Sequence, residues 1–239
     1  MSQYEYLLFD ADGTLYDFQD AEKHAIQETW NAYKIPINET TLSCFHKHNG
    51  LCWKQLEEGK IGYDVLPRKR FELTFNELGY SHIDPQKFND DYLSNLSKNG
   101  KLFPQALEVL KTLKNRGYRL FIVTNGIYSV QKERFNQKET NGIYEKIFCS
   151  EQLKVNKPHR KFFDLVFKEI GLDDISEEER KKKAIVIGDS LTSDIQGGIN
   201  ANLNTIWYNP KNQPVNEKVK PTFIIHQLNE LLDYFPPLK

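Results

Sequence analysis

The chain has 239 residues, of which 39% are hydrophobic and 27% charged, a composition typical of a globular protein with a substantial core. Its 32 lysine and arginine residues nearly balance its 33 aspartate and glutamate residues, which excludes a bulk basic field for binding a nucleic-acid polymer or an anionic membrane. No apolar run approaches the roughly 18–20 residues that span a bilayer, and the first residues do not have the pattern of a secretory signal. Three cysteines lack metal-ligand spacing and are expected to be free thiols in a cytoplasmic protein: Cys44, Cys52 and Cys149.

The predicted elements begin with a short apolar strand, which is followed by a long stretch with a different pattern. Residues 16–99 contain apolar residues at helical spacing but no persuasive strand, and prolines and glycines interrupt them repeatedly. This pattern predicts an inserted subdomain of four or five short helices. Its aromatic residues Trp53, Tyr63 and Phe71 have two interpretations, since helical spacing fits a subdomain core and exposed rings would fit stacking on a base.

From about Leu102 onward, short apolar runs alternate with segments of helical periodicity. Near-continuous apolar strands are typical of a parallel sheet that is covered on both faces. The alternation predicts a doubly wound α/β domain formed by residues 1–15 and 100–239, with residues 16–99 as the helical insertion. The five predicted strands are Tyr6–Phe9, Arg119–Val123, Lys146–Cys149, Ala184–Ile187 and Thr205–Tyr208.

Polar residues follow four of these strands, at the points where ligands bind in open parallel α/β sheets. They supply carboxylates, a hydroxyl, a lysine and amides next to glycine, which are the groups that phosphoryl transfer requires. In chain order they are Asp10 and Asp12 after the first strand, Thr124, Asn125 and Gly126 after the second, Lys157 after the third, and Asp189 and Asp194 after the fourth.

Two carboxylates that lie two positions apart can divide this chemistry between them. Asp10 would attack phosphorus in line, and Asp12 would protonate the leaving oxygen and later deprotonate the hydrolytic water. Asp10 and Asp189 together form a hard oxygen site suited to Mg²⁺, without which one anion would have to attack another.

The other candidates would hold the phosphoryl group. The Thr124 hydroxyl and the amides of Asn125 and Gly126 could bind a phosphoryl oxygen, and Lys157 would add a positive charge beside the acyl phosphate. Taken singly, each of these residues has an ordinary interpretation, and Asp194 alone would be a helix cap. Their combination, in this order and at the strand ends, predicts a phosphoryl-transfer site.

These four motifs resemble those of the haloacid dehalogenase-like hydrolase superfamily. DADGT at residues 10–14 is similar to its first motif, TN at 124–125 to its second, NKP around Lys157 to its third, and GDSLTSD at 188–194 to its fourth. The resemblance implies a Rossmann-like core in which a C1 cap, the helical insertion, closes over the substrate. It also implies that Asp10 is the nucleophile, that Asp12 is the acid/base and contributes its backbone carbonyl to the metal, and that Asp194 supports the site from nearby.

Within the superfamily, the second carboxylate separates two activities. Family dehalogenases lack an aspartate at the position of Asp12, so its presence favours phosphate substrates. The segments TNGIYSVQKERF, SEQLKVNKPHRKFFD and GDSLTSDIQGGINANLNTIWYN look like those of pyrimidine 5′-nucleotidases, which predicts nucleoside 5′-monophosphates as substrates. An expansion at Asn136–Asn141 departs from their pattern and is expected to lengthen a surface loop.

Other functions remain open at this point. The same chemistry would serve a phosphatase for small sugar phosphates or phosphoglycolate, and less readily a phosphomutase. A response-regulator receiver also holds an aspartyl phosphate around Mg²⁺, but receivers lack an insertion of roughly 80 residues after the first strand. A non-catalytic binding module is disfavoured because every motif position is retained.

Overall fold

A six-stranded parallel sheet is the framework of the larger of two compact units in the computed structural model, which describes residues 4–215 and 217–238. The larger unit comprises residues 1–18 and 101–239, and the smaller comprises residues 19–100. In chain order the strands are β1 Tyr6–Phe9, β2 Arg119–Thr124, β3 Lys146–Cys149, β4 Ala184–Gly188, β5 Asn204–Tyr208 and β6 Phe223–Ile225. They lie in the order β3-β2-β1-β4-β5-β6, so the chain winds outward from β1 in both directions, as the sequence predicts for a doubly wound, Rossmann-like α/β fold.

Eleven α-helices lie in the described ranges. They are α1 Phe18–Ala32, α2 Glu39–Glu57, α3 Leu66–Leu78, α4 Pro85–Lys98, α5 Ala106–Asn115, α6 Tyr128–Phe135, α7 Ser150–Leu153, α8 Arg160–Ile170, α9 Glu177–Lys183, α10 Gln196–Asn200 and α11 Leu231–Tyr234. A π-helical turn, Leu191–Ile195, precedes α10, and a 3-10 turn, Leu228–Glu230, precedes α11.

The two innermost strands, β1 and β4, have no charged side chain because both faces of the sheet are covered. In β1, Leu7 and Phe9 join one hydrophobic cluster, whereas Leu8 between them joins the cluster on the opposite face. The first cluster includes the apolar stripe of α5, and the second includes the stripe of α8. Each helix therefore covers one face of the sheet with its apolar side.

The smaller unit consists of α-helices and has its own aromatic core. Trp30 packs edge-on against Phe45 and Phe88, with ring centroids 5.3 and 5.0 Å apart. Phe71 is fully buried in the same core, which excludes it from stacking on a ligand. Trp53 is only partly buried, against a small cluster that includes Leu56.

Two further elements, a sixth strand and a charged helix, add to the predicted fold. β6 was not predicted, because a three-residue edge strand gives too short an apolar run to stand out from the loop around it. The charged segment Glu177–Lys183 forms the complete helix α9, which has no buried residue and begins with a capping box between Ser176 and Glu179. None of the helices in the described ranges combines the length and apolar character that crossing a membrane would need.

All three cysteines are free and buried. Burial raises the pKa of the Cys149 thiol to about 12, and burial also raises the pKa values of Cys44 and Cys52. Since the thiolate is the nucleophilic form, each thiol should be unreactive in the folded protein.

We therefore expect iodoacetamide at pH 8 to label the native protein far more slowly than the urea-unfolded protein, in which three adducts form. Intact-mass spectrometry over time measures the number of adducts. Rapid labelling of Cys149 in the native protein would contradict the burial of its thiol.

Candidate active site

The carboxyl end of β1 carries Asp10, which the sheet holds in place. The Asp10 amide donates to the Ile187 carbonyl of β4 at 2.8 Å, continuing the strand pairing by one residue. The chain then turns sharply at Gly13, where φ is +89°. A Cβ at this position would lie 2.5 Å from Asp189 Oδ2, so both the backbone conformation and the close approach require glycine.

Lys157 is the buried cation of the site. Its ammonium group donates to Asp10 Oδ1 at 2.7 Å, to Asp194 Oδ1 at 2.6 Å and to the Val123 carbonyl at 2.6 Å. Only 1% of its side chain is exposed. The three N–H donors of the ammonium therefore each have an acceptor, and two of these acceptors are carboxylates.

Asp194 is held by its own turn as well as by Lys157. It lies in the π-helical turn, and its Oδ2 accepts from the Ser190 amide at 3.0 Å. A Cβ on Gly188 would collide with the Asp194 side chain, so the strand end must be glycine for the carboxylate to reach Lys157. The structure thus places Asp194 directly against the lysine.

Asp189 completes a group of three carboxylates. Oxygen atoms of Asp10, Asp189 and Asp194 all lie within 4.8 Å of one another. The Thr14 hydroxyl lies 3.1 Å from Asp189 Oδ1 and 3.3 Å from Asp10 Oδ2, so it can donate to either one. The neighbouring strand fixes the backbone, because the Trp207 indole donates to the Asp189 carbonyl at 2.8 Å.

The electrostatics of this group favour an added cation. Burial, together with the nearby Asp194 carboxylate, raises the pKa of Asp10 well above its usual range, and the same two causes raise the pKa of Asp189 to about 7. Burial acts to lower the pKa of Lys157, but attraction to Asp10 and Asp194 outweighs it and raises that pKa above its usual value. One ammonium thus faces three acidic groups.

A hard divalent cation suits this set of ligands. The donors are carboxylate oxygens, which Mg²⁺ prefers, and their mutual repulsion is what a divalent charge would relieve. Asp10 and Asp189, the two predicted metal ligands, both lie in this group and would hold the ion.

The last residue of β2, Thr124, and the two that follow it, Asn125 and Gly126, are the predicted phosphate-binding residues, and all three have internal hydrogen-bond partners. The Gly126 amide donates to Thr124 Oγ1 at 2.9 Å, which leaves the hydroxyl hydrogen to donate elsewhere. The Asn125 side chain accepts from the Lys157 amide and donates to the Lys157 carbonyl, both at 2.9 Å. Asn125 therefore fastens the lysine-bearing segment to the loop after β2.

Two residues at the site escaped the sequence analysis. Gln131 Nε2 donates to Asp12 Oδ2 at 2.5 Å, and Arg134 Nη1 donates to Asp12 Oδ1 at 2.5 Å. Both lie on α6, one helical turn apart, and both are fully buried. Their spacing in the segment that follows Thr124 places both on one helix face, but nothing in the sequence shows that this face meets Asp12.

Comparison with known proteins gives a consistent result. The family of haloacid dehalogenase-like hydrolases matches residues 7–208. Pyrimidine 5′-nucleotidase PynA of Streptococcus pneumoniae is 34% identical over 230 residues, covering 96% of this chain and 94% of that protein. Pyrimidine 5′-nucleotidase YjjG of Escherichia coli is 26% identical, with 96% of each chain covered.

A solved structure agrees with these matches. The HAD-hydrolase YfnB of Bacillus subtilis, solved bound to magnesium, superposes with a TM-score of 0.83 at 33% identity, covering 97% of this chain and 98% of that one.

The arrangement around Lys157 predicts a strong effect on stability. Lys157→Met removes the buried ammonium and leaves Asp10 and Asp194 facing each other, so we expect the free energy of unfolding to fall by about 3–5 kcal/mol. Urea denaturation measures the change.

The matched control is Lys146→Met. That lysine forms an exposed ion pair with Glu169 at 2.5 Å, and its loss should change the free energy of unfolding little, because solvent screens the pair. Equal falls in the free energy of unfolding for the two variants would show that the fold does not need Lys157 to pair the buried carboxylates.

Proposed function

Because this chain belongs to the haloacid dehalogenase-like hydrolases, we propose that it is an Mg²⁺-dependent phosphatase that hydrolyses nucleoside 5′-monophosphates, preferring pyrimidines, through an aspartyl phosphate on Asp10. The observation that carries the proposal is the convergence of Asp10, Lys157 and Asp189 at one sheet edge. The names of the similar proteins PynA and YjjG support the choice of pyrimidine nucleotides.

The first half-reaction uses both acids of the first motif. Lys157 holds Oδ1 of Asp10, so Oδ2 is the oxygen left to attack phosphorus. The bond from phosphorus to the ester oxygen breaks, and Asp12 gives that oxygen its proton. The Asp12 side chain is 22% exposed, compared with 9% for Asp10, which leaves it accessible for proton exchange.

The second half-reaction releases phosphate. Asp12, now a carboxylate, takes a proton from water as the water oxygen attacks phosphorus, and the bond to Asp10 breaks. Inorganic phosphate leaves and both aspartates return to their starting states. Mg²⁺ held by Asp10, Asp189 and the backbone carbonyl of Asp12 would offset the negative charge of the phosphoryl oxygens.

The remaining groups would hold the phosphoryl group during both steps. Thr124 has a hydroxyl hydrogen to donate, because its oxygen already accepts from Gly126. Lys157 lies against Asp10 and would place its charge beside the acyl phosphate.

A phosphate-release screen with Mg²⁺ tests the substrate class. We expect UMP, CMP and dTMP to be hydrolysed faster than AMP, GMP, glyceraldehyde 3-phosphate or phosphoglycolate, and EDTA to abolish release. Asp10→Asn, which keeps the shape but removes the nucleophile, should lose turnover entirely while unfolding as a cooperative unit. Preferred hydrolysis of a sugar phosphate would favour the alternative substrate class, and no release from any ester would end the phosphatase proposal.

A second experiment isolates the acid. Asp12→Asn should lower kcat for a nucleoside monophosphate by about 10²–10⁴-fold, because the alkoxide then leaves without a proton. The same substitution should slow the first-turnover release of p-nitrophenolate from p-nitrophenyl phosphate much less, since phenolate leaves without protonation, although hydrolysis of the aspartyl phosphate is common to both substrates. Equal losses in the first-turnover rates of the two substrates, measured by rapid mixing, would assign Asp12 another role.

A further inference from the structure

We propose that Gln131 and Arg134 are positioning residues, which fix the Asp12 carboxylate where it exchanges a proton with both the leaving oxygen and the attacking water. The inference rests on the proposed function, because it assumes that Asp12 is the acid and base of that reaction. The two residues contact Asp12 and act through it.

Both oxygens of Asp12 are engaged from α6. Arg134 and Asp12 form an ion pair in which the arginine is fully buried, and Gln131 donates to the other carboxylate oxygen. Two donors on different oxygens fix both the place of the carboxylate and the rotation of its plane. Each oxygen still has a second lone pair, and the carboxylate remains partly exposed, so it can still exchange a proton with a substrate.

The loop after β2 closes a third side. A Cβ on Gly126 would collide with Gln131 Nε2 and would lie 2.9 Å from Asp12 Oδ2. The backbone of this loop therefore packs directly on the pair formed by Gln131 and Asp12, and no larger residue fits there without displacing one of them.

Arg134 is itself anchored to the segment that carries Asp12. The Tyr16 hydroxyl donates to the Arg134 carbonyl at 2.9 Å, and the guanidinium lies 5.4 Å from the centre of the Tyr16 ring. The Gly13 amide donates to the Tyr16 carbonyl at 2.9 Å. These contacts fix the position of α6 relative to the turn after β1, which carries Asp12.

The two proton transfers explain why the position of the Asp12 carboxylate would matter. Asp12 must serve two half-reactions from one place, first toward the ester oxygen and then toward water. A carboxylate free to rotate would lose rate in both steps, and a misplacement of about 1 Å can cost about 100-fold.

The test compares Arg134→Met and Gln131→Met with wild type. We expect kcat for UMP to fall by about 100-fold for Arg134→Met and about 10-fold for Gln131→Met, with KM nearly unchanged. Because p-nitrophenyl phosphate does not need the acid, its first step should suffer less. Arg160→Met and Gln137→Met, which change exposed residues of the same types, are the controls and should retain wild-type rates.

A double-mutant cycle separates positioning from a structural role. In the Asp12→Asn background, Arg134→Met and Gln131→Met should cause little further loss, because the group that they position is gone. Full additional loss in that background, or equal loss in the first-turnover rates on UMP and the aryl ester, would overturn the inference. Gln131→Met leaves the buried charge paired, so it keeps the test readable if Arg134→Met fails to fold.

The rates of the wild-type enzyme separate a failure of the positioning role from a failure of the proposed function. Hydrolysis of UMP by wild type together with control-like rates for both variants would refute the positioning role alone. Absence of hydrolysis of any ester by wild type would refute the proposed function and, with it, the inference.

Discussion

One buried ammonium, that of Lys157, offsets part of the negative charge at the centre of the candidate site. Parallel strands bring their carboxyl ends to one edge of a sheet, and here the segments after β1 and β4 carry three aspartates whose oxygens approach within 4.8 Å of one another. Lys157 offsets part of this repulsion by contacting Asp10 and Asp194 at 2.7 and 2.6 Å. Buried ion pairs are seldom the most stable way to fill such a space, so their presence is better explained by chemistry than by stability.

The neutral side chains around this centre bind the backbone of the residues that carry its charges. Asn125 binds both the amide and the carbonyl of Lys157, and the Trp207 indole binds the Asp189 carbonyl. Gly13 and Gly188 give room for Asp189 and Asp194 to approach. Hydrogen bonds from neutral side chains, together with the space that the two glycines leave, thus set the positions of the charged groups.

The sequence predicted the parts of the fold that repeat a local pattern. The ranges of β1, β2 and β4 were correct to within one residue, because buried parallel strands are apolar at every position. The doubly wound class was also predicted, and in the structure β1 and β4 are parallel neighbours, so Asp10 and Asp189 follow adjacent strands.

The contacts of Asp12 with Gln131 and Arg134 were not predictable in the same way. These residues are 119 and 122 positions from Asp12, and no local pattern reports which helix face meets which loop. Likewise, β6 is too short for its apolar residues to differ from those of a buried loop. The sequence therefore indicated the chemistry-bearing groups, and tertiary packing alone revealed what holds one of them in place.

The position of β1 in the sheet has a consequence for how the protein is made. Its two hydrogen-bonded neighbours begin at Arg119 and Ala184, so the first strand leaves the ribosome long before either partner exists. Residues 19–100, which contain their own aromatic core, are synthesised in that interval and can pack while β1 still lacks its neighbouring strands. During translation, this chain therefore carries an unpaired apolar strand, and the aspartate that follows it meets its lysine only after a further 147 residues have been made.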